Sequence, residues 1–115
     1  MAPAWRIRDR ATFAALRDGR RGHAGPVRLT WVPEAGSTTP PRVAFAVGRR
    51  VGSAVERNHL RRQLRAVVAD LAPDLEPGAY LITYRGGPGT PFADLARQVA
   101  AAATTAGALV AEGRP

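Results

Sequence analysis

The chain has no cysteine, no lysine, one methionine and only two histidines, His23 and His59, among its 115 residues. Without cysteine it can form no disulfide, no thiolate metal site and no cysteine nucleophile, a usage compatible with a reducing cytosol. No apolar run approaches the ~18 residues of a membrane span, and no apolar segment follows the charged N-terminus as in a secretory leader. These absences lead to the expectation of a soluble, cytoplasmic protein. Acids are also scarce, nine against 17 arginines, which carry the whole positive charge. The net charge of +8 and a pI near 11.6 are the electrostatic footprint of a nucleic-acid binder. A chain of this length builds one modest core, so residues 1–115 are read as a single nucleic-acid-binding domain, with a basic tail over 1–8 and a second tail over 112–115.

Asp9 is a suitable N-cap for a helix running to about Asp18, with Phe13 and Leu16 on its inner face and Gly19 as its C′ residue. Arg20 to Pro26 reads as a basic loop. Val27 to Val32 reads as a strand with Val27, Leu29 and Trp31 on one face, and Pro33 to Pro41 as a loop. In Arg42 to Val47, Val43, Phe45 and Val47 alternate with alanines, which suits a strand packed on both sides. Pro77-Gly78 turns the chain into a further strand, Ala79 to Arg85. After the loop Gly86 to Gly89, Thr90 is the expected N-cap and Pro91 the first residue of a last helix. Phe92, Leu95, Val99, Ala102, Ala106 and Leu109 keep a helical period there. The order helix, strands, helix, strand, helix implies an α+β sandwich.

Between the second and third of these strands lies the most informative stretch, Arg49 to Arg65. Ser53 followed three residues later by Glu56 is a capping box, so a helix begins near Ala54, and Pro73 stops it near Asp70 to Leu71. Leu60, Leu64, Val67 and Leu71 fall on one stripe, with Arg57, Asn58, Arg61 and Arg65 on a band beside it. A solvated helix face pairs its cations with acids at i,i+4, yet no acid occurs from Arg57 to Ala69. A polyanion is therefore the expected partner, since the guanidinium fork donates two hydrogen bonds to one phosphate.

The spaced pattern Arg50-x-Gly52-x-Ala54-Val55-x-Arg57-Asn58-x-x-Arg61-Arg62-x-x-Arg65 resembles the signature of the bacterial ribonuclease P protein component. That family supplies the protein subunit of the ribonucleoprotein that removes 5′ leaders from precursor tRNA. The resemblance extends to the N-terminus, where an Arg-apolar-Arg segment precedes a helix carrying Phe13. It departs from the family pattern in lacking lysine and in having one residue fewer between Phe13 and Gly19. Leu16 and Arg17 also stand where a second aromatic often follows.

The resemblance implies a mixed four-stranded sheet, with the arginine helix in a left-handed βαβ crossover, whereas chain principles alone favour a right-handed one. It further implies binding of the catalytic RNA by Arg49, Arg50, Arg57, Asn58, Arg61, Arg62 and Arg65. The leader would be bound by Arg6, Arg8, Phe13 and Trp31, with Thr30 as the other candidate for the last place. Mg²⁺ would be held mainly by the RNA and none by the protein alone; the partners would be that RNA and precursor tRNA, with no DNA and no membrane.

The residues themselves offer no constellation for cutting a phosphodiester. His23 and His59 read as surface residues of basic segments, the acids Asp70, Asp74 and Glu76 as a solvated turn, and the glycine-rich loop lacks the Lys-Ser/Thr of a phosphate loop. Catalysis is thus expected from the RNA. A plain RNA-binding module, such as a ribosomal or assembly protein, is the alternative. A DNA reader is disfavoured because the arginine helix leads into a strand, without a helix-turn-helix or a dimer seam.

Overall fold

In the computed structural model, which describes residues 6–7, 9–34, 36–37, 40–87 and 89–110, four strands form one mixed sheet against three helices. The strands are β1 (Arg20–Ala24), β2 (Val27–Pro33), β3 (Arg42–Val47) and β4 (Gly78–Tyr84), in the spatial order β1-β2-β4-β3. β1 and β2 form a hairpin, β2 runs antiparallel to β4, and β3 runs parallel to β4. A parallel neighbour requires a crossover, and α2 (Ala54–Leu71) supplies it. α1 (Arg10–Ala15) precedes the sheet and α3 (Phe92–Ala106) follows it. This is the α+β order that the sequence implies and the mixed four-stranded sheet that the family resemblance implies. Among the described residues no helix is long and apolar enough to cross a membrane.

One face of the sheet carries Val27, Leu29, Trp31, Tyr80, Ile82 and Tyr84, and it packs with Leu60, Leu64, Val67 and Val68 of α2 and Leu95, Val99, Ala102, Ala103 and Ala106 of α3. The alanines of α3 matter because they let the helix approach β1 closely. A Cβ on Gly22 would lie 2.1 Å from the carbonyl oxygen of Ala102 and 2.7 Å from the nitrogen of Ala106. The opposite face has a smaller cluster, in which Ile7 and Leu16 pack with Ala79 and the half-buried Val32, Ala44 and Leu81.

Several local expectations need correction. Arg20 to Ala24 is a strand, because the two-residue loop Gly25-Pro26, with Gly25 at φ +57°, folds it back onto β2 in the register Ala24↔Val27. Gly19 does not end α1 in a left-handed conformation; a 3-10 turn, Leu16–Asp18, follows the helix, and Gly19 is extended at φ −72°. Thr90 does not cap α3, since its hydroxyl is engaged by the Tyr84 hydroxyl, and Pro91 takes the N-cap position without a side-chain bond. Residues 6 and 7 are not a loose tail. Arg6 bridges Val43 on the free edge of β3, and Ile7 is buried. Arg8 and residues 112–115 lie outside the described residues.

Candidate nucleic-acid interface

α2 is built as its sequence dictates. The Ser53 hydroxyl accepts from the Glu56 N–H at 3.2 Å, and the Glu56 carboxylate accepts from the Ser53 N–H at 2.8 Å. Gly52 makes that box possible: its φ of +131° is rarely open to other residues, and a Cβ there would lie 2.0 Å from the Glu56 carboxylate. Leu60, Leu64, Val67 and Val68 anchor the buried stripe, which leaves Asn58, Arg62 and Arg65 exposed and Arg61 half-buried beside it. The Asn58 amide oxygen accepts from Arg61 at 3.2 Å, which orients that guanidinium. Arg57 lies closer to the core than the pattern implies: it is half-buried, and its Nε is buried with no protein hydrogen-bond partner.

Among the described residues the ion pairs formed with acids involve Arg42 and Arg97, and none involves the arginines at positions 49 to 65. Arg49 and Arg50 occupy a 3-10 turn between β3 and α2 and are exposed. With Arg61 and Arg85 they line a groove of about 480 Å³ floored by Ala46, Val47, Thr83 and Tyr84. Arg85 was not singled out from the sequence. The parallel register Val47↔Tyr84 sets the two strand ends side by side, so the residue after Tyr84 arrives next to Gly48 and Arg49. A cation just past the strand that follows the arginine helix was the available signal.

A second groove, of about 490 Å³, is lined by Arg21, His23, Arg28, Thr30, Thr83 and Arg85, with Gly22, Leu29 and Thr105. The two grooves share Thr83 and Arg85, so basic side chains run from the sheet to α2. By strand alternation Arg21, His23, Arg28, Thr30 and Thr83 belong to the sheet face on which Leu16 packs. Phe13 of α1 is 44% exposed, which removes its reading as a core residue. Arg6 is exposed at the free edge of β3.

Trp31, which the resemblance offered as a leader-binding residue, is a core side chain. It is 6% exposed on the opposite, helix-covered face, stacked on Tyr80 with ring centroids 6.2 Å apart. Its indole N–H donates to the Pro77 carbonyl at 3.2 Å, and the Arg20 guanidinium lies 5.5 Å above the ring. The choice is one of register: Val27, Leu29 and Trp31 share a face, and that face takes α2 and α3. Thr30 is the residue that faces the α1 side.

α1 is held at its start by Asp9. The Asp9 carboxylate accepts from the Thr12 N–H at 2.9 Å and from the Thr12 hydroxyl at 2.6 Å, and Arg42 pairs with it at 3.4 Å. The Thr12 hydroxyl bond, followed by its N–H bond and more weakly by Arg42, holds the Asp9 carboxyl below its ordinary value, so it is ionised at neutral pH. Elsewhere, the described residues contain no group of three or more histidine or acidic side chains placed to hold a metal ion.

The family model described as Ribonuclease P matches residues 1–107 of the chain. The chain belongs to the bacterial ribonuclease P protein family. The ribonuclease P protein component of Synechococcus sp. is 45% identical over 98 residues, 74% of each chain. That of Symbiobacterium thermophilum is 33% identical over 115 residues, 98% of this chain and 100% of the relative. The fold agrees as well. The ribonuclease P protein of Staphylococcus aureus superposes with a TM-score of 0.76 at 16% identity over 99% of this chain and 98% of that one. The Thermotoga maritima protein gives 0.63 at 18% identity, over 83% and 91%. The family's holoenzyme is an endoribonuclease acting on tRNA precursors, and this chain is a protein subunit of that kind.

Proposed function

We propose that the arginine face of α2, continued by Arg49 and Arg50, docks the catalytic RNA of ribonuclease P, and that the sheet face beside α1 takes the 5′ leader of precursor tRNA. The observation that carries this reading is the set Arg49, Arg50, Arg57, Arg61, Arg62 and Arg65, none of them paired with an acid among the described residues. Phosphates would neutralise these guanidinium groups, with Asn58 adding a directional amide bond. On the leader side Phe13 offers an exposed ring for stacking, and Arg6 and Arg8 are the cations proposed to accompany it. On this reading the Mg²⁺ used in hydrolysis is held mainly by the RNA subunit, through its phosphates. Work on tRNA precursors is consistent with a cytoplasmic protein.

The test is the salt dependence of RNA binding. Arg61→Ala and Arg65→Ala are each expected to weaken binding of the catalytic RNA and to shrink the slope of log K against log salt by roughly 0.7 to 0.9. An unchanged slope in both variants would return the face to ordinary solvated charge. A companion result is expected from activity: nuclease-treated, RNA-free protein cleaves no precursor tRNA, and cleavage appears when the RNA and Mg²⁺ are added. Cleavage by the RNA-free sample would refute the assignment of catalysis to the RNA.

A further inference from the structure

We infer that Arg42 is a positioning residue for leader recognition: it straps the start of α1 to the sheet and so holds Phe13 where a leader base can reach it. The inference rests on the proposed leader-binding role of Phe13. α1 is six residues long and buries none of its own side chains. A helix that short does not hold its shape or direction unaided, so its ends must set its orientation. At the C-terminal end the anchor is apolar, since Leu16 is 4% exposed and Gly19 lies against β2, where a Cβ would be 2.8 Å from the carbonyl oxygen of Trp31. At the N-terminal end Ile7 is buried, and the polar anchor is Arg42.

From the first position of β3 the Arg42 guanidinium reaches both ways. One nitrogen meets the Asp9 carboxylate at 3.4 Å and the Thr12 hydroxyl at 3.4 Å; the other donates to the Glu34 carboxylate at 2.6 Å. The route to Phe13 is direct, because the Phe13 N–H donates to the Asp9 carbonyl at 3.4 Å and Thr12 is its chain neighbour. Ion pairs as open as these, with Asp9 53% and Glu34 38% exposed at the side chain, add little to global stability. What they supply is direction. Arg42 thereby differs from the α2 arginines: its charge is spent within the protein, between two acids from different segments.

The experiment uses holoenzyme assembled from the full chain and its RNA, measuring dissociation constants for precursor and mature tRNA. Arg42→Met keeps the apolar stem and removes the strap. It is expected to weaken precursor binding about fivefold, within what one stacked base contributes, with mature tRNA, catalytic RNA affinity and the cleavage rate at saturation unchanged. Arg42→Lys should recover part of the loss. Asp9→Asn, which keeps the N-cap acceptor but loses the charge, should give a smaller loss of the same kind and guards against misfolding of the first variant. The double variant Phe13→Ala with Arg42→Met should bind precursor no worse than Phe13→Ala alone, because Arg42 acts through Phe13. Multiplying losses with a reduced salt slope would mean that Arg42 touches RNA itself and would overturn the inference, as would equal losses for precursor and mature tRNA. If Phe13→Ala leaves the precursor preference intact, the leader reading itself fails; if it abolishes the preference while Arg42→Met and Asp9→Asn do not, only the strap fails.

Discussion

Phe13→Ala is expected to weaken binding of precursor tRNA by roughly five- to 150-fold while leaving mature tRNA unaffected. The magnitude follows from the ~1–3 kcal/mol that one base stacked on an aromatic ring contributes, with each 1.4 kcal/mol worth about tenfold. Truncating a fully buried phenylalanine would cost about 3–5 kcal/mol of stability. Phe13 is 44% exposed and α1 buries none of its residues, so the variant should lose much less than that and keep its fold. Titration of the holoenzyme with both RNAs, beside a thermal melt, separates the two roles. Equal losses for both RNAs would show that Phe13 does not read the leader, and a collapse of the melt would show that it is structural.

The largest effect on stability should come from Gly22→Ala. The added Cβ would lie 2.1 Å and 2.7 Å from backbone atoms of α3, which no change of rotamer can move aside. The helix would have to retreat as a body, lifting Leu95, Val99, Ala102 and Ala106 from a face where they are nearly inaccessible to solvent. Overpacking of this kind costs about 3 kcal/mol, and for a chain of 115 residues that lowers the melting temperature by roughly 12 °C. Gly48→Ala is the control. Gly48 has φ −80° and nothing within 4 Å of an added Cβ, so its melt should shift by no more than about 0.5 kcal/mol in equivalent stability. A melt for Gly22→Ala that matched the control would mean that α3 does not sit on β1 as described.

Short-range chemistry made much of this protein legible before any coordinates. A capping box involves residues three apart, so Ser53 and Glu56 marked the start of α2, and Pro73 marked its end to within a residue. The period of Leu60, Leu64 and Val67 marked the buried stripe, and the spacing from Arg50 to Arg65 carried the family. The strands after β1 were legible for a similar reason, as alternating apolar runs bounded by proline and glycine. β1 was not, because Arg20 to Ala24 shows no apolar alternation and holds a glycine, a residue depleted in strands. Its strand exists through pairing with β2 and through the room that Gly22 leaves for α3.

The site divides along the same line. The chain by itself determined that one helix would display guanidinium groups without acids to neutralise them, since helical period and charge count are properties of neighbours in sequence. Only the tertiary structure decided that Trp31 is core and Thr30 faces α1, because either face of β2 was open until α2 and α3 covered one of them. It likewise brought Arg85 beside Arg49 and Arg61, through the parallel pairing of β3 with β4, and tied Asp9 to Arg42 across 33 positions of chain. Such contacts depend on strand register, which is set by the packing of the whole sheet and leaves no mark in any short stretch of residues.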